Sequence, residues 1–124
     1  AVNDLDYAPP LLRLEAAKAL ANVPDAKAVG PLTRHLTGPI QVRGADGRPE
    51  VQPETPDVRV ACADALRNFP NKDVASSLIE MLNEKEFEVS WQARQSLILM
   101  TGHDYRYDQG QWRDYLNKAD KPFG

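Results

Sequence analysis

The sequence predicts an all-α fold, an α-solenoid of about three antiparallel helix pairs with one inserted loop. Three observations predict it: a repeated segment, helical spacing of apolar residues within it, and prolines and glycines between the helices. Residues 13–36 and 59–82 align without a gap at an offset of 46, and eight positions are identical: Arg13/Arg59, Ala17/Ala63, Ala19/Ala65, Leu20/Leu66, Asn22/Asn68, Pro24/Pro70, Leu32/Leu78 and Leu36/Leu82. Such internal repeats favour a binding surface over catalysis.

The first helix is predicted from Pro10 to about Asn22. Pro9 and Pro10 suit a helix start, because the first turn does not use the amide that proline lacks. Pro24 ends the helix, since the residue before a proline avoids the helical conformation. The apolar positions follow helical spacing: Leu12, Ala16, Ala17, Leu20 and Val23.

A second helix is predicted over about 26–37, with Asp25 as its N-cap. Pro31 lies inside this helix and lacks a backbone donor, so we expect either a kink or a late helix start. Gly38 and Pro39 end it. Its apolar side carries Ala28, Val29, Leu32 and Leu36.

Residues 38–56 interrupt the helical pattern with prolines and glycines. Asp46-Gly47 is a turn signal between two short apolar stretches. We therefore expect a short hairpin or an ordered loop. Pro49 restricts any strand here to a sheet edge, because proline cannot donate to a ladder.

Two further units follow the loop. Val89–Leu97 matches Val58–Leu66 at an offset of 31, so the third unit repeats the first helix of the second. Gly102 stops this third-unit helix, since glycine accepts the left-handed conformation of a helix C-terminus. Helices are predicted at four places: about 57–68, 72–83, 86–100 and 109–118.

The repeat period is therefore about 31 residues. The offset of 46 is one period plus an insertion of about 15 residues, the loop at 38–55. We predict a single domain over 1–124 with repeats at about 10–37, 56–83 and 86–119. Because the chain begins with Ala1, we expect a trimmed product or one piece of a longer protein.

Residues 57–82, DVRVACADALRNFPNKDVASSLIEML, carry a family pattern. It consists of Asp-x-x-Arg or Val-Arg, small residues four apart, Ala-Leu, a turn, and Ala-Val-x-x-Leu-x-x-x-Leu. The pattern resembles the HEAT repeat, in the short bacterial HEAT-like type first noted in phycobilisome lyases. The resemblance covers about 85 of the 124 residues and is lost at 101–116. It implies stacked antiparallel helix pairs, and binding or scaffolding more often than catalysis.

Small residues in the first helix of each pair support stacking independently of the resemblance. Helices approach closely only where the side chains between them are small. The residues that we expect at these contacts are Ala16, Ala17, Ala19, Cys62, Ala63, Ala65, Ala93 and Ser96.

Composition excludes several classes of function. The net charge is −3, with 15 basic residues scattered among 18 acidic ones, whereas nucleic-acid binding calls for a basic stripe. We therefore expect no nucleic-acid partner. No apolar run approaches the roughly 20 residues of a membrane span. A single cysteine excludes an internal disulfide, and the compartment stays open.

Candidate catalytic groups have simpler structural explanations. Cys62 replaces Ala16 of the first unit, so we expect a buried structural cysteine. His103-Asp104 is similar to the His-Asp pair of some metal hydrolases, but His35 is the one other histidine, so a polar turn is favoured. We expect no catalytic residue, no metal and no cofactor.

Charged and glycine-containing segments are interpreted in the same way. Gly44–Gly47 matches neither a phosphate loop nor a calcium loop, and a plain turn is favoured. Glu84, Glu86 and Glu88 stand at a helix start, where negative charge suits the helix dipole. We expect them to be solvated and to cap the helix.

Seven of the nine aromatic residues lie in the last 38 positions: Phe87, Trp91, Tyr105, Tyr107, Trp112, Tyr115 and Phe123. They form either a binding patch or a cap that closes the end of the stack, and we favour the cap. Trp91 and Trp112 are the expected core members. Tyr105 and Tyr107 are the expected exposed pair, and we predict them as further partner-binding residues.

The function that we predict is a non-enzymatic protein–protein interaction or scaffold module. In solenoids of this type the second helices line a concave face that commonly binds partners. The predicted partner-binding residues there are Lys27, Arg34, Ser77 and Glu80. The inserted loop, with Arg43, Asp46, Arg48 and Glu50, is the other candidate, because long loops often carry function.

Two alternatives stay open. The family name suggests an accessory lyase-like or chaperone-like subunit that acts on a cofactor-bearing protein. Alternatively, the chain stacks with further repeats of a longer protein, in which case the first helix would present an exposed apolar face. A role in binding damaged DNA, known for some HEAT-like folds, is disfavoured by the balanced charges of the second helices.

Overall fold

The structure, a computed structural model, describes residues 8–22 and 25–124. Val23, the helix stop at Pro24 and residues 1–7 of the predicted domain lie outside the described residues. Over the described ranges the chain forms six α-helices and one two-stranded antiparallel sheet. The chain is therefore mostly helical. The all-α expectation is correct only in this coarser sense, because the insertion forms β-structure.

The helices lie within three residues of their predicted bounds. The first helices of the three units are α1 Pro10–Leu20, α3 Pro56–Leu66 and α5 Phe87–Thr101, and the second helices are α2 Val29–Thr37, α4 Lys72–Glu80 and α6 Gln109–Lys118. Two 3-10 turns, Ala26–Ala28 and Met81–Asn83, precede α2 and follow α4. The strands are β1 Ile40–Arg43 and β2 Pro49–Gln52.

A late start of α2 accommodates Pro31. The Asp25 carboxylate accepts the Lys27 amide at 2.9 Å and caps the short 3-10 turn that comes first. Since α2 begins only at Val29, Pro31 falls in its first turn, where no amide donor is needed. The helix thus starts late, which was one of the two outcomes expected of this proline.

Side-chain caps define most of the other helix ends. Thr55, Asn71 and Asp108 each accept a backbone amide in the first turn of α3, α4 and α6. Gly102 has a φ of 74° and ends α5 in the left-handed conformation expected of it. These ends are set by local chemistry, which is why the helix bounds could be predicted.

A single apolar cluster takes buried side chains from all six helices. Helix α3 contacts α1, α2 and α5, and α4 contacts α2, α5 and α6. Six of the eight small residues predicted at helix contacts are buried: Ala17, Cys62, Ala63, Ala65, Ala93 and Ser96. Ala16 is half-buried. Ala19 is exposed, contrary to the prediction, because it lies on the side of α1 that faces away from α3.

The insertion is a β-hairpin anchored at its base. Ile40 pairs with Gln52 and Arg43 with Pro49, so the proline stands at the end of an edge strand, as expected. Gly47, at φ 81°, makes the tight turn. Ile40 is buried, whereas every residue of β2 is exposed. The hairpin therefore projects from the helices and is held at its base.

Candidate functional site

A buried carboxylate, Glu54, joins the base of the hairpin to the first repeat. Arg13 donates to it twice, from Nε at 2.9 Å and from Nη2 at 2.8 Å. His35 Nδ1 lies 2.7 Å from Oε2, and the Thr55 amide donates to Oε1 at 2.8 Å. The side chains of Glu54 and His35 are fully buried. The carboxylate thus connects α1, α2 and the start of α3.

Opposing effects act on the pKa of Glu54. Burial raises it, but hydrogen bonds from His35, Arg13 and the Thr55 amide together hold the pKa below its ordinary value. The group is therefore an ionised carboxylate, which can only accept hydrogen bonds. His35 Nδ1 must then carry a proton and donate it.

Acid is expected to weaken the fold through this group. A depressed folded-state pKa contributes stability above the unfolded pKa, which is about 4.3 for a glutamate. That contribution is lost as the pH falls further, toward the folded pKa. Urea unfolding at pH 7, 5, 4 and 3 should show stability falling more steeply below pH 5 in the native chain than in Glu54→Gln. Parallel curves for the two proteins would contradict the assignment.

Arg59 occupies in the second repeat the position that Arg13 holds in the first. Its Nη1 lies 2.9 Å from Glu84 Oε1 and 3.4 Å from Glu86 Oε1, and its Nε donates to the Leu36 carbonyl at 3.0 Å. Glu84 and Glu86 therefore bind an arginine. This corrects the prediction that these two glutamates are solvated and cap the helix. Glu86 makes no side-chain capping bond.

Both arginines thus bind acids that immediately precede the next first helix. Arg13 and Arg59 are identical in the repeat alignment, and Glu54 and Glu86 each stand one or two residues before a helix start. The sequence thus shows an arginine at the same repeat position twice, each time with a glutamate just before the next first helix. The sequence analysis did not predict their pairing. The two clusters hold consecutive repeats together.

Cys62 is fully buried, as predicted. Burial, aided by the charge of Glu54, raises the pKa of its thiol to about 12. A thiol with so little thiolate is a poor nucleophile. The structure therefore gives Cys62 a packing role.

The four partner-binding residues predicted on the second helices lie on α2, on α4 and in the 3-10 turn before α2. Lys27 is in the 3-10 turn and Arg34 is on α2, and both side chains are exposed. On α4, Glu80 is exposed, but Ser77 is half-buried. A depression of about 170 Å³ between α4 and α6 is lined by none of these four residues: its lining is Lys72, Ser76, Arg113, Leu116 and Asn117.

The predicted loop residues come together at the tip of the hairpin. Arg43 donates to the Gly47 carbonyl at 3.0 Å, and Asp46 accepts the Arg48 amide at 3.0 Å. Arg48 and Asp46 also form an exposed ion pair at 3.8 Å, which contributes little to stability. The tip therefore displays charges of both signs.

The predicted exposed tyrosines are half-buried instead. Tyr105 meets Trp112 edge-on with ring centroids 5.1 Å apart, and Tyr115 lies 5.7 Å away. Arg94 lies 5.2 Å from the Tyr107 ring, and Phe87 is 6.2 Å from it. The prediction that both tyrosines are exposed is wrong, because the turn that carries them folds back onto α5 and α6.

The two tryptophans differ in burial. Trp112 is fully buried, as predicted, and its Nε1 donates to the Arg106 carbonyl at 2.8 Å. Arg106 has a φ of 57°, an unusual conformation for a residue with a side chain. Trp91 is 45% exposed, which contradicts its predicted place in the core.

His103 and Asp104 also belong to this end of the molecule. The His103 ring packs 4.7 Å from that of Tyr115. Asp104 accepts two hydrogen bonds from Arg94, which together with the Arg106 amide lower its pKa to about 2. The pair therefore acts in aromatic packing and in an ion pair, so the polar-turn interpretation holds in modified form.

A groove that sequence reasoning did not anticipate crosses the three first helices. Its volume is about 840 Å³. The apolar part of its lining is Leu14, Ala21, Val60 and Ala61, and the polar part is Lys18, Asn22, Asp57, Asp64, Arg67, Asn68, Glu88 and Gln92. None of the predicted partner-binding residues lines it. The groove depends on how neighbouring helices are spaced, and no local pattern encodes that spacing.

Comparison with known proteins identifies one repeat. Residues 58–84 match the family model described as PBS lyase HEAT-like repeat. Neither a curated protein nor a solved structure shows a significant match to the chain. No helix of the described ranges is long and apolar enough to cross a membrane. The matched segment spans nearly all of α3, the whole of α4 and the 3-10 turn after it, so this helix pair is similar to a PBS lyase HEAT-like repeat.

Proposed function

We propose that the chain is a non-enzymatic protein–protein interaction module, built as a short α-solenoid, which binds its partner in the groove across the first helices. The helix contacts support the solenoid, since α3 lies against both α1 and α5, while α4 lies against both α2 and α6. A repeat array of this kind presents an extended surface assembled from equivalent positions of successive repeats. That property suits the recognition of another protein chain.

The groove is the observation that carries the proposal. At about 840 Å³ it is several times larger than the depression between α4 and α6. Leu14, Val60 and Ala61 give it an apolar floor, and charged side chains form its rim. An apolar centre within a polar rim is the usual anatomy of a protein-binding surface.

Charge is distributed unevenly along the rim. Asp57 and Glu88 lie in the first turns of α3 and α5, so their carboxylates stand at the N-terminal ends of these helices. Lys18 and Arg67 lie toward the opposite ends of α1 and α3, where Arg67 pairs with Asp64 at 3.0 Å. The partner that fits is a helix or extended segment with an apolar anchor and a basic residue directed toward Asp57 and Glu88.

The strongly perturbed ionisable groups support a non-enzymatic role. Catalytic groups are commonly those whose pKa is displaced within a cleft. Here the groups with displaced pKa values include Glu54, Cys62 and Asp104, which are buried or paired outside the groove.

Three double variants of equal charge distinguish the candidate surfaces. Asp57→Lys with Glu88→Lys alters the groove, Asp73→Lys with Glu80→Lys alters the second helices, and Asp46→Lys with Glu50→Lys alters the hairpin. Each changes the net charge from −3 to +1. All six acids are exposed, so the fold should tolerate each pair. Affinity capture from native lysate, followed by mass spectrometry, compares the partners retained by each variant.

Loss of the same partner from the groove variant alone is the expected result. Asp57 and Asp73 both lie in the first turn of a helix, so these two substitutions match in their cost to the helix dipole. Glu88→Lys adds a second cost of this kind, which Glu80→Lys at the end of α4 does not, so the melting temperature of each variant is measured beside its binding. If the groove variant retained every partner and the second-helix or hairpin variant lost one, binding would belong to that other surface.

A second candidate function comes from the name of the matched family. The PBS lyase description favours an accessory, lyase-like or chaperone-like subunit that acts on a cofactor-bearing protein. Such a role requires an apolar groove that accepts a tetrapyrrole, and the floor of the groove offers one. A shift in bilin absorbance on adding the native chain, absent with the Asp57/Glu88 variant, would favour it over simple protein binding.

A further inference from the structure

We propose that the side of α1 that faces away from α3 is a seat for a further HEAT-like helix pair, so that the stack is open at α1 and closed at α5. The proposal does not depend on a partner being bound in the groove. It compares equivalent positions of the three first helices, which the repeat offsets of 46 and 31 define. It also compares the two ends of the stack.

The apolar position near the helix start is exposed only in α1. Val58 of α3 and Val89 of α5 are fully buried, while Leu12, at the equivalent place in α1, is 56% exposed. Its neighbour Leu11 is 67% exposed. An exposed leucine at a position that is otherwise buried marks a surface suited to a partner, and Leu11 extends that apolar patch.

The small position one turn from the helix end shows the same difference. Ala65 of α3 and Ser96 of α5 are fully buried. The Ser96 hydroxyl donates to the Ala63 carbonyl at 2.7 Å, so this side of α5 lies directly against the backbone of α3. Ala19, the equivalent residue of α1, is exposed. It retains the small side chain that close helix approach needs.

The opposite end of the stack differs at the small contact position, although α5 also exposes apolar side chains, namely Phe87, Trp91 and Leu99. Ala17 and Ala63 are fully buried under the next first helix, but α5 has Arg94 at the equivalent position. Arg94 makes two hydrogen bonds to Asp104, at 3.0 and 2.6 Å, and packs on Tyr107. An arginine held by the following loop occupies the space where a helix would lie.

Continuity with the existing repeat interfaces identifies the occupant. Gln92 of α5 donates to Asp64 of α3 at 3.4 Å, and the residue equivalent to Gln92 in α1 is Glu15. The occupant should therefore place a cation or a hydrogen-bond donor opposite Glu15, at its own position equivalent to Asp64. In α1 the residue at that equivalent position is Lys18. A helix pair like the first repeat of this chain meets that requirement. A second copy stacked head to tail does not, because its α5 end is closed.

A tandem chain tests the seat directly. It consists of residues 1–55 followed by residues 10–124, so Thr55 joins Pro10 as it normally joins the equivalent Pro56. The inserted α1 then lies against the free side of the original α1. We expect the tandem chain to melt in one transition about 5 °C or more above the native-length chain.

One substitution made at two places provides the control. Leu12→Asp in the original α1 of the tandem should lower its melting temperature by about 5 to 15 °C, because that leucine becomes buried. The same change in the inserted α1, where Leu12 stays exposed, should leave it nearly unchanged. Equal effects at both places, two separate transitions, or an aggregating tandem would overturn the proposal. A native-length dimer dissociated by Leu12→Asp would also overturn it, since α1 would then be the seat of a second copy.

Discussion

Replacing Glu54 with glutamine is expected to lower the free energy of unfolding by about 3 kcal/mol or more. The side chain keeps its shape but loses its negative charge. In the native chain that charge balances the Arg13 guanidinium, which donates two hydrogen bonds to it. Arg13 is only 4% exposed, so its guanidinium would stay buried without a counter-ion. His35 would also lose its ionised acceptor. Urea unfolding monitored by circular dichroism at pH 7 measures the difference.

Glu50→Gln is the matched control. It makes the same chemical change in the same insertion, but Glu50 is exposed on β2. Its effect should stay within about 0.5 kcal/mol. Equal unfolding midpoints for the two variants would show that the buried cluster contributes little, as happens when desolvation cancels the attraction between charges.

Trp112→Ala is expected to cost about 3 to 5 kcal/mol. Trp112 on α6 is fully buried and contacts Tyr105 edge-on. The substitution leaves a large cavity between α6 and the turn before it, and the Arg106 carbonyl loses the indole donor. Urea unfolding measures the loss, and the remaining tryptophan serves as the fluorescent probe.

Trp91→Ala tests the same change at the exposed tryptophan. Because Trp91 is 45% exposed, its removal should cost about 1 kcal/mol or less. A cost close to that of Trp112→Ala would mean that the outer side of α5 is covered in solution. It would then contradict the closed end proposed for this helix.

Local chemistry explains why the helices could be predicted. Thr55, Asn71 and Gly102 act on backbone groups within four residues, so their effect can be read from the neighbouring sequence. The Asp-Gly turn of the hairpin is equally local. Pro31 allowed two outcomes, a kink or a late start, and the 3-10 turn before α2 decided between them.

Burial at the ends of the stack could not be predicted in the same way. Trp91 and Trp112 both lie within predicted helices, but Trp91 is largely exposed and Trp112 is fully buried. Tyr105 and Tyr107 follow a helix C-terminus, which favours exposure, yet the turn folds back over α5 and α6. Whether such a side chain is covered depends on an element distant in sequence.

The sequence by itself determined the repeat, the six helices, the position of the insertion and the burial of Cys62. These follow from periodicity, caps and breakers, which act over a few residues. Only the tertiary structure decided that Glu54 meets Arg13 across 41 positions, that a groove crosses the first helices, and that Leu12 is exposed where Val58 and Val89 are buried. Each of these depends on the distance between helices that the chain brings together only on folding, and no short-range pattern records that distance.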